Sequence, residues 1–156
     1  MRIMLIDDEP EILELLSTAL RSKGFYTREF SSAEKAVEAC LEERFNVVIA
    51  DIKMPEMSGV QLLKAVREKN PEVFLIILTG GAGIDSAIEA LNRGAYAFFC
   101  KPLDLSALFA TLFEIEKRLL EIRLKENITI DITGFAWGIK NLKTLADYRK
   151  SPGCER

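Results

Sequence analysis

Four places in the sequence hold groups that are able to act on one another. Asp7 and Asp8 follow an apolar run at 3–6, Asp51 follows one at 47–50, Thr79 one at 73–78, and Lys101, with Pro102 behind it, one at 95–100. Taken singly, an acid in such a place reads as a helix cap. For Asp7-Asp8-Glu9 ahead of Pro10, capping alone is an adequate explanation. Capping does not explain why an acid, a hydroxyl and a lysine occupy the ends of further runs of the same kind.

If the runs are parallel strands, and the first and third are neighbours, their ends lie roughly 5 Å apart. Asp7, Asp8 and Asp51 then share one pocket. Carboxylates that close repel one another, and either a divalent cation or raised pKa values must relieve the repulsion. An all-oxygen ligand set points to a hard ion, and Mg²⁺ is the usual choice where phosphate is also bound. Lys101 offers an ammonium to one phosphoryl oxygen and Thr79 a hydroxyl to another. The chain has no histidine, which removes Ser–His–Asp and Cys–His hydrolysis and any His-ligated zinc. The nucleophile that is left is a carboxylate, which forms an acyl phosphate, and a metal neutralises charge during in-line transfer.

The elements that must position these groups alternate along the first 126 residues. Near-continuous apolar runs at 3–6, 47–50, 73–78 and 95–100 fit strands covered on both faces, and the mixed run at 25–30 fits an edge strand. Between them lie helix signals. Pro10 opens an apolar face of Ile12, Leu13, Leu16, Ala19 and Leu20 that stops at Gly24. Ser31-Ser32-Ala33-Glu34 and Ser58-Gly59-Val60-Gln61 both read as capping boxes. Asn70-Pro71 ends the helix begun by the second box, a further helix over 83–93 stops at Gly94, and Asp104 caps the last. Five βα repeats predict an α/β fold, a doubly wound five-stranded parallel sheet with its ligands at the carboxyl ends of the strands.

The last helix carries Leu105, Leu108, Leu112, Ile115, Leu119 and Ile122 at heptad spacing. Two readings stand: one long helix packing on its own sheet, or pairing of its later half with a second copy. Leu120 and Leu124 widen the stripe beyond a strict seam. After Asn127, 128–133 alternates like a short strand, 139–150 reads as an amphipathic helix, and Ser151-Pro152-Gly153 as a turn. Phe135, Trp137 and Tyr148 either cover the domain's own surface or dock a partner. The boundary is drawn at residue 126, leaving 127–156 as a C-terminal tail of unknown role.

Charge changes at the same place. Residues 1–126 hold 16 Lys+Arg against 21 Asp+Glu, a net of −5, and 127–156 hold 5 against 3, a net of +2. Neither is an electrostatic footprint for nucleic acid, so no direct nucleic-acid binding is expected. No apolar run is long enough to span a bilayer, and the first strand lacks a signal peptide's longer apolar core, so a cytoplasmic chain without membrane contact is expected. Cys40 and Cys100 read as small core residues and Cys154 as an exposed thiol, with no disulfide framework.

The set Asp7-Asp8, Asp51-Ile52-Lys53-Met54-Pro55 with Ser58-Gly59, Leu78-Thr79-Gly80 and Cys100-Lys101-Pro102-Leu103 resembles the receiver domains of bacterial two-component response regulators. The resemblance covers roughly residues 1–122, and is nearest to receivers of the nitrogen-regulatory activator group. It implies a flavodoxin-like (βα)5 fold with strand order 2-1-3-4-5, an order that this family itself exemplifies. It also implies that a sensor histidine kinase or phosphotransfer protein phosphorylates Asp51 in a Mg²⁺-dependent phosphorelay, switching protein–protein interactions. Asp8 and Asp51 are implied as direct Mg²⁺ ligands, Asp7 as one acting through water, and the backbone carbonyl of Lys53 as the third protein ligand. Thr79 resembles the switch hydroxyl, Lys101 the phosphate-binding lysine and Phe98 the aromatic switch, although Phe99 is equally placed to be the buried ring.

The Lys53 side chain is expected to shield or crowd the phosphoryl group, and Gly80-Gly81-Ala82-Gly83 to give the following loop unusual backbone freedom. The chain is expected to catalyse only its own phosphorylation and dephosphorylation, with no metabolic substrate. A homodimer through 105–122 is the accompanying possibility. The alternative is the regulatory receiver of a DNA-binding transcriptional activator whose output domain this chain lacks. An aspartyl phosphatase is disfavoured because Asp7 and Asp8 are adjacent, and a degenerate scaffold because the site residues are complete.

Overall fold

In the computed structural model, residues 1–53, 57–80 and 84–141 are described, with the backbone alone at 59, 60, 84, 86 and 126–141. Five strands form a single parallel sheet: β1 (Arg2–Ile6), β2 (Tyr26–Phe30), β3 (Val47–Asp51), β4 (Phe74–Thr79) and β5 (Ala97–Cys100). Their order is β2-β1-β3-β4-β5, the expected flavodoxin-like order. Between them run α1 (Pro10–Ser22), α2 (Ala33–Glu42), α3 (Gly59–Lys69) and α4 (Ile84–Asn92), and α5 (Leu105–Asn141) follows.

The burial pattern follows from the side chains. β3 is buried along its whole length, as are β1 after Arg2 and β4 after Phe74. Ile, Leu, Val and Met fill both faces of these central strands, and each fully buried Leu, Ile or Val contributes about 2 kcal/mol. β2 and β5 lie at the sheet edges, and neither has a continuously buried run. Cys100 is therefore exposed rather than a core residue, because it ends an edge strand, whereas Cys40 is buried.

Local signals act mostly as expected. Pro10 opens α1, and Gly24 takes φ +83° just beyond its end. The Ser58–Gln61 box is reciprocal: the Gln61 N–H donates to Ser58 Oγ, and the Ser58 N–H donates to Gln61 Oε1. Asp104 Oδ1 accepts from the N–H groups of Ser106 and Ala107, capping α5. The first box fails: α2 is capped by Ser32, whose side chain makes no cap hydrogen bond. Starting the helix at Ala33 puts Glu34 in its first turn, one position short of closing a box on Ser32.

The chain divides into two compact units, Met1–Leu112 and Phe113–Arg156. In the first, Leu108 and Leu112 of α5 are fully buried, so this part of the heptad stripe serves the domain's own core. In the second, Leu120, Ile122 and Leu124 are exposed. The strand expected at 128–133 is not formed. The backbone of α5 is helical through it to Asn141, since no glycine or proline interrupts 105–133 and extending an established helix is easier than starting a new element. The expected helix at 139–150 is described only to residue 141, and Phe135 and Trp137 only as helical backbone. Tyr148, Cys154 and the turn at 151–153 lie outside the described residues.

Candidate functional site

Sheet register brings the chemical groups together. Ile6 pairs with Ala50 across β1 and β3, and Asp51 pairs with Leu78 across β3 and β4. Thr79 pairs with Cys100 across β4 and β5, and the Lys101 N–H donates to the Thr79 carbonyl at 2.8 Å. The carboxyl ends of four strands thus meet at one edge. Asp51 and Thr79 are the final residues of β3 and β4 rather than the first residues beyond them.

Asp7, Asp8 and Asp51 each present a carboxylate oxygen, and these lie within 4.8 Å of one another. Asp7 and Asp51 are buried and Asp8 is exposed. Each buried carboxylate is oriented by the backbone. The Glu9 N–H donates to Asp7 Oδ1 at 3.0 Å, and the Lys53 N–H donates to Asp51 Oδ1 at 3.1 Å. The second oxygens face Lys101, whose Nζ donates to Asp7 Oδ2 at 2.9 Å, Asp51 Oδ2 at 3.0 Å and Glu9 Oε1 at 3.0 Å. Glu9 is the residue that sequence reasoning did not assign. Its signal was a third acid directly after Asp7-Asp8.

The electrostatics are those of a crowded anionic pocket. Burial pushes the Asp7 carboxyl above the usual carboxylate range, and the nearby Asp51 charge adds to this. The Glu9 N–H and the Lys101 ammonium pull it down without cancelling the rise. Burial alone would lower the pKa of Lys101, but hydrogen bonds to Asp7, Asp51 and Glu9 outweigh it and hold the ammonium above the usual lysine range. The pocket therefore attracts cations, and the Lys101 ammonium spans Asp7, Asp51 and Glu9.

The remaining predicted residues surround this centre. Thr79 is fully buried, and its Oγ1 donates to the Gly80 carbonyl at 2.9 Å. The Lys53 side chain is exposed, and an isolated bridge pairs Lys53 with Ser58. Phe98 lies opposite Ile77 and packs half-buried against the core cluster that includes Ile77 and Ala87. Met54, Pro55 and the loop residues 81–83 lie outside the described residues. Beside Lys101 is a cavity of about 240 Å³ lined by Ile12, Leu15, Leu16, Leu78, Pro102 and Leu103, among others, with Leu15 of α1 half-exposed at 54%.

Residues 3–113 match the response regulator receiver domain, and the chain belongs to that family. It is 32% identical over 137 residues to the Transcriptional regulatory protein ZraR of Escherichia coli O157:H7, and 36% identical over 107 residues to the Regulatory protein AtoC of Escherichia coli (strain K12). These alignments cover 88% and 69% of this chain but only 30% and 23% of the relatives. Among solved structures, a response regulator receiver domain protein from Clostridium thermocellum matches 76% of this chain and 98% of its own, at 32% identity and a TM-score of 0.71. A CheY-like receiver domain protein from Methanospirillum hungatei JF-1 matches 77% and 97%, at 29% identity and a TM-score of 0.71. Among the described residues, no helix is long and apolar enough to cross a membrane.

Proposed function

We propose that this receiver is a phosphorylation-controlled switch. A sensor histidine kinase or phosphotransfer protein delivers a phosphoryl group to Asp51, and the change alters which proteins the domain binds. The observation that carries this reading is the meeting of Asp7, Asp8 and Asp51 with the Lys101 ammonium at one edge of the sheet.

The donor set fits Mg²⁺, since it offers three carboxylate oxygens and no nitrogen or sulfur. Asp8 and Asp51 would hold the ion directly, with Asp7 through water and the Lys53 carbonyl as a third protein ligand. When bound, Mg²⁺ supplies neutralisation of charge on the phosphoryl oxygens.

The chain's own groups do the rest. A carboxylate oxygen of Asp51 attacks phosphorus, the P–N bond of the phosphohistidine breaks, and its electron pair leaves on the imidazole nitrogen. The product is an acyl phosphate. The Lys101 ammonium binds one phosphoryl oxygen. The Thr79 hydroxyl exchanges the Gly80 carbonyl for another, and Phe98 follows by turning inward. Hydrolysis of the acyl phosphate resets the switch, and no metabolic substrate is needed. The apolar cavity against α1, beside Lys101, suits the docking of a phosphodonor protein.

In this reading the chain works in the cytoplasm and binds no nucleic acid itself. Self-association through 105–122 belongs to the same reading, with the exposed Leu120 and Ile122 as the contact. A second reading makes the switch the regulatory part of a DNA-binding activator. It is favoured by the similarity to ZraR and to the DNA-binding transcriptional regulator NtrC of Proteus hauseri, of which the chain spans 30% and 25%. Intact-mass analysis after incubation with Mg²⁺ and acetyl phosphate, beside Asp51→Asn, tests the phosphoacceptor role on which both depend.

A further inference from the structure

An ammonium has three N–H donors, and three carboxylates take those of Lys101: Asp7 at 2.9 Å, Glu9 at 3.0 Å and Asp51 at 3.0 Å. The three partners are not equally fixed. The side chains of Asp7 and Asp51 are 1% and 9% exposed, and each is also held by a backbone N–H. The Glu9 side chain is 61% exposed. Glu9 is the N-cap residue of α1, yet its side chain makes no cap hydrogen bond. Its carboxylate turns away from its own helix and reaches a lysine 92 residues further along the chain.

With its donors taken, Lys101 has none for a phosphoryl oxygen until one partner is released. Stripping a buried carboxylate of its cation is costly, whereas water re-solvates an exposed one at little cost. We propose that Glu9 is a positioning residue whose carboxylate holds, on Lys101, the place that a phosphoryl oxygen takes. Phosphorylation then exchanges one anion for another on the same ammonium, and Glu9 closes on Lys101 again once phosphate has left. This rests on the reading of Asp51 as the phosphoacceptor. While Glu9 is in place it slows transfer by occupying the donor that the incoming phosphoryl group needs.

Glu9→Ala removes both the charge and the contact, and Glu9→Asp keeps the charge but shortens the reach by one methylene. Two quantities are measured on the full chain. One is the initial rate of phosphorylation by acetyl phosphate at saturating Mg²⁺, read from intact mass. The other is the rate of reductive methylation of Lys101 without metal or donor, read by peptide mass.

Both variants are expected to be phosphorylated about threefold faster than wild type, the factor to which an exposed ion pair of ordinary strength corresponds. Both are also expected to expose Lys101 to faster methylation. Faster phosphorylation in Glu9→Ala but not in Glu9→Asp would mean that charge alone acts, and would overturn the exchange, as would unchanged methylation in both variants. A wild type phosphorylated at the same rate as both variants overturns the exchange alone. A wild type that takes no phosphate overturns the phosphoacceptor reading and the exchange with it.

Discussion

Lys101 sets its ammonium 3.0 Å from Asp51 Oδ2 across 50 residues of sequence. The contact exists because β3 and β5 flank β4 and end at the same edge, so a lysine just past one strand meets an acid that closes another. A cation spanning two buried carboxylates ties the fold of the site to its chemistry.

The first consequence concerns stability. Lys101→Met leaves Asp7 and Asp51 buried side by side without their cation. The metal-free variant should lose about 3 kcal/mol, the low end for stripping one partner from a buried ion pair, since Lys101 keeps some contact with water. Adding Mg²⁺ should then raise the urea midpoint of Lys101→Met more than that of wild type, because metal replaces the missing charge. Equal midpoints for the two proteins without metal would show that the ammonium is not what balances the pocket.

The Asp7 carboxyl gives the pH dependence. Its pKa is raised in the folded state, chiefly by burial, so the folded protein binds that proton more tightly than the unfolded chain does. Stability from this group is therefore complete below the unfolded value of about 3.9, and is lost as pH rises through the folded value. Asp7→Asn carries no such proton. Without metal, the variant should gain on wild type as pH climbs from about 3 to about 7 across the carboxylate range. Urea titrations at both ends measure the difference, and a variant that loses ground to wild type as pH rises runs against this assignment.

Two glycines with left-handed backbone test how α4 is fastened. Gly94 has φ +99°, and a Cβ there would sit 2.5 Å from Arg67 Nη1, whereas Gly24 at φ +83° has nothing within 4 Å. Arg67 Nη2 donates to the Gly94 carbonyl at 2.5 Å and Nη1 to the Arg93 carbonyl at 3.4 Å, so a side chain of α3 satisfies acceptors just past the end of α4. Gly24→Ala should cost about 1 kcal/mol of backbone strain, and Gly94→Ala about 2 kcal/mol or more, because it displaces the guanidinium as well. In an Arg67→Ala background the Gly94→Ala cost should fall toward that of Gly24→Ala, and a double-mutant cycle by thermal or chemical denaturation measures the coupling. Additive losses would mean that the Arg67 guanidinium adds nothing to the cost of a side chain at Gly94.

Most of the fold was legible because its signals are local. Apolar runs marked the central strands, Pro10, Gly24, Gly94 and Asp104 marked helix ends, and the mixed composition at 25–30 marked an edge. The strand order came from resemblance rather than from any local pattern. What failed depended on competition between elements. The alternating β-branched residues at 128–133 gave way to a helix already running, and Cys100 lost its cover because β5 has a neighbour on one side only. In the pocket, Asp7, Asp8, Asp51 and Lys101 stood out because each follows an apolar run. Glu9 was visible as an acid, but nothing near it in sequence signals that its side chain turns to a lysine 92 residues away.

The most direct measurement is the mass of the intact chain after incubation with acetyl phosphate, with and without Mg²⁺, beside Asp51→Asn. Phosphoryl transfer to Asp51 predicts one phosphate adduct on wild type that requires Mg²⁺ and is absent from Asp51→Asn. An adduct of equal yield on Asp51→Asn, or none on a folded wild type that binds Mg²⁺, would contradict it.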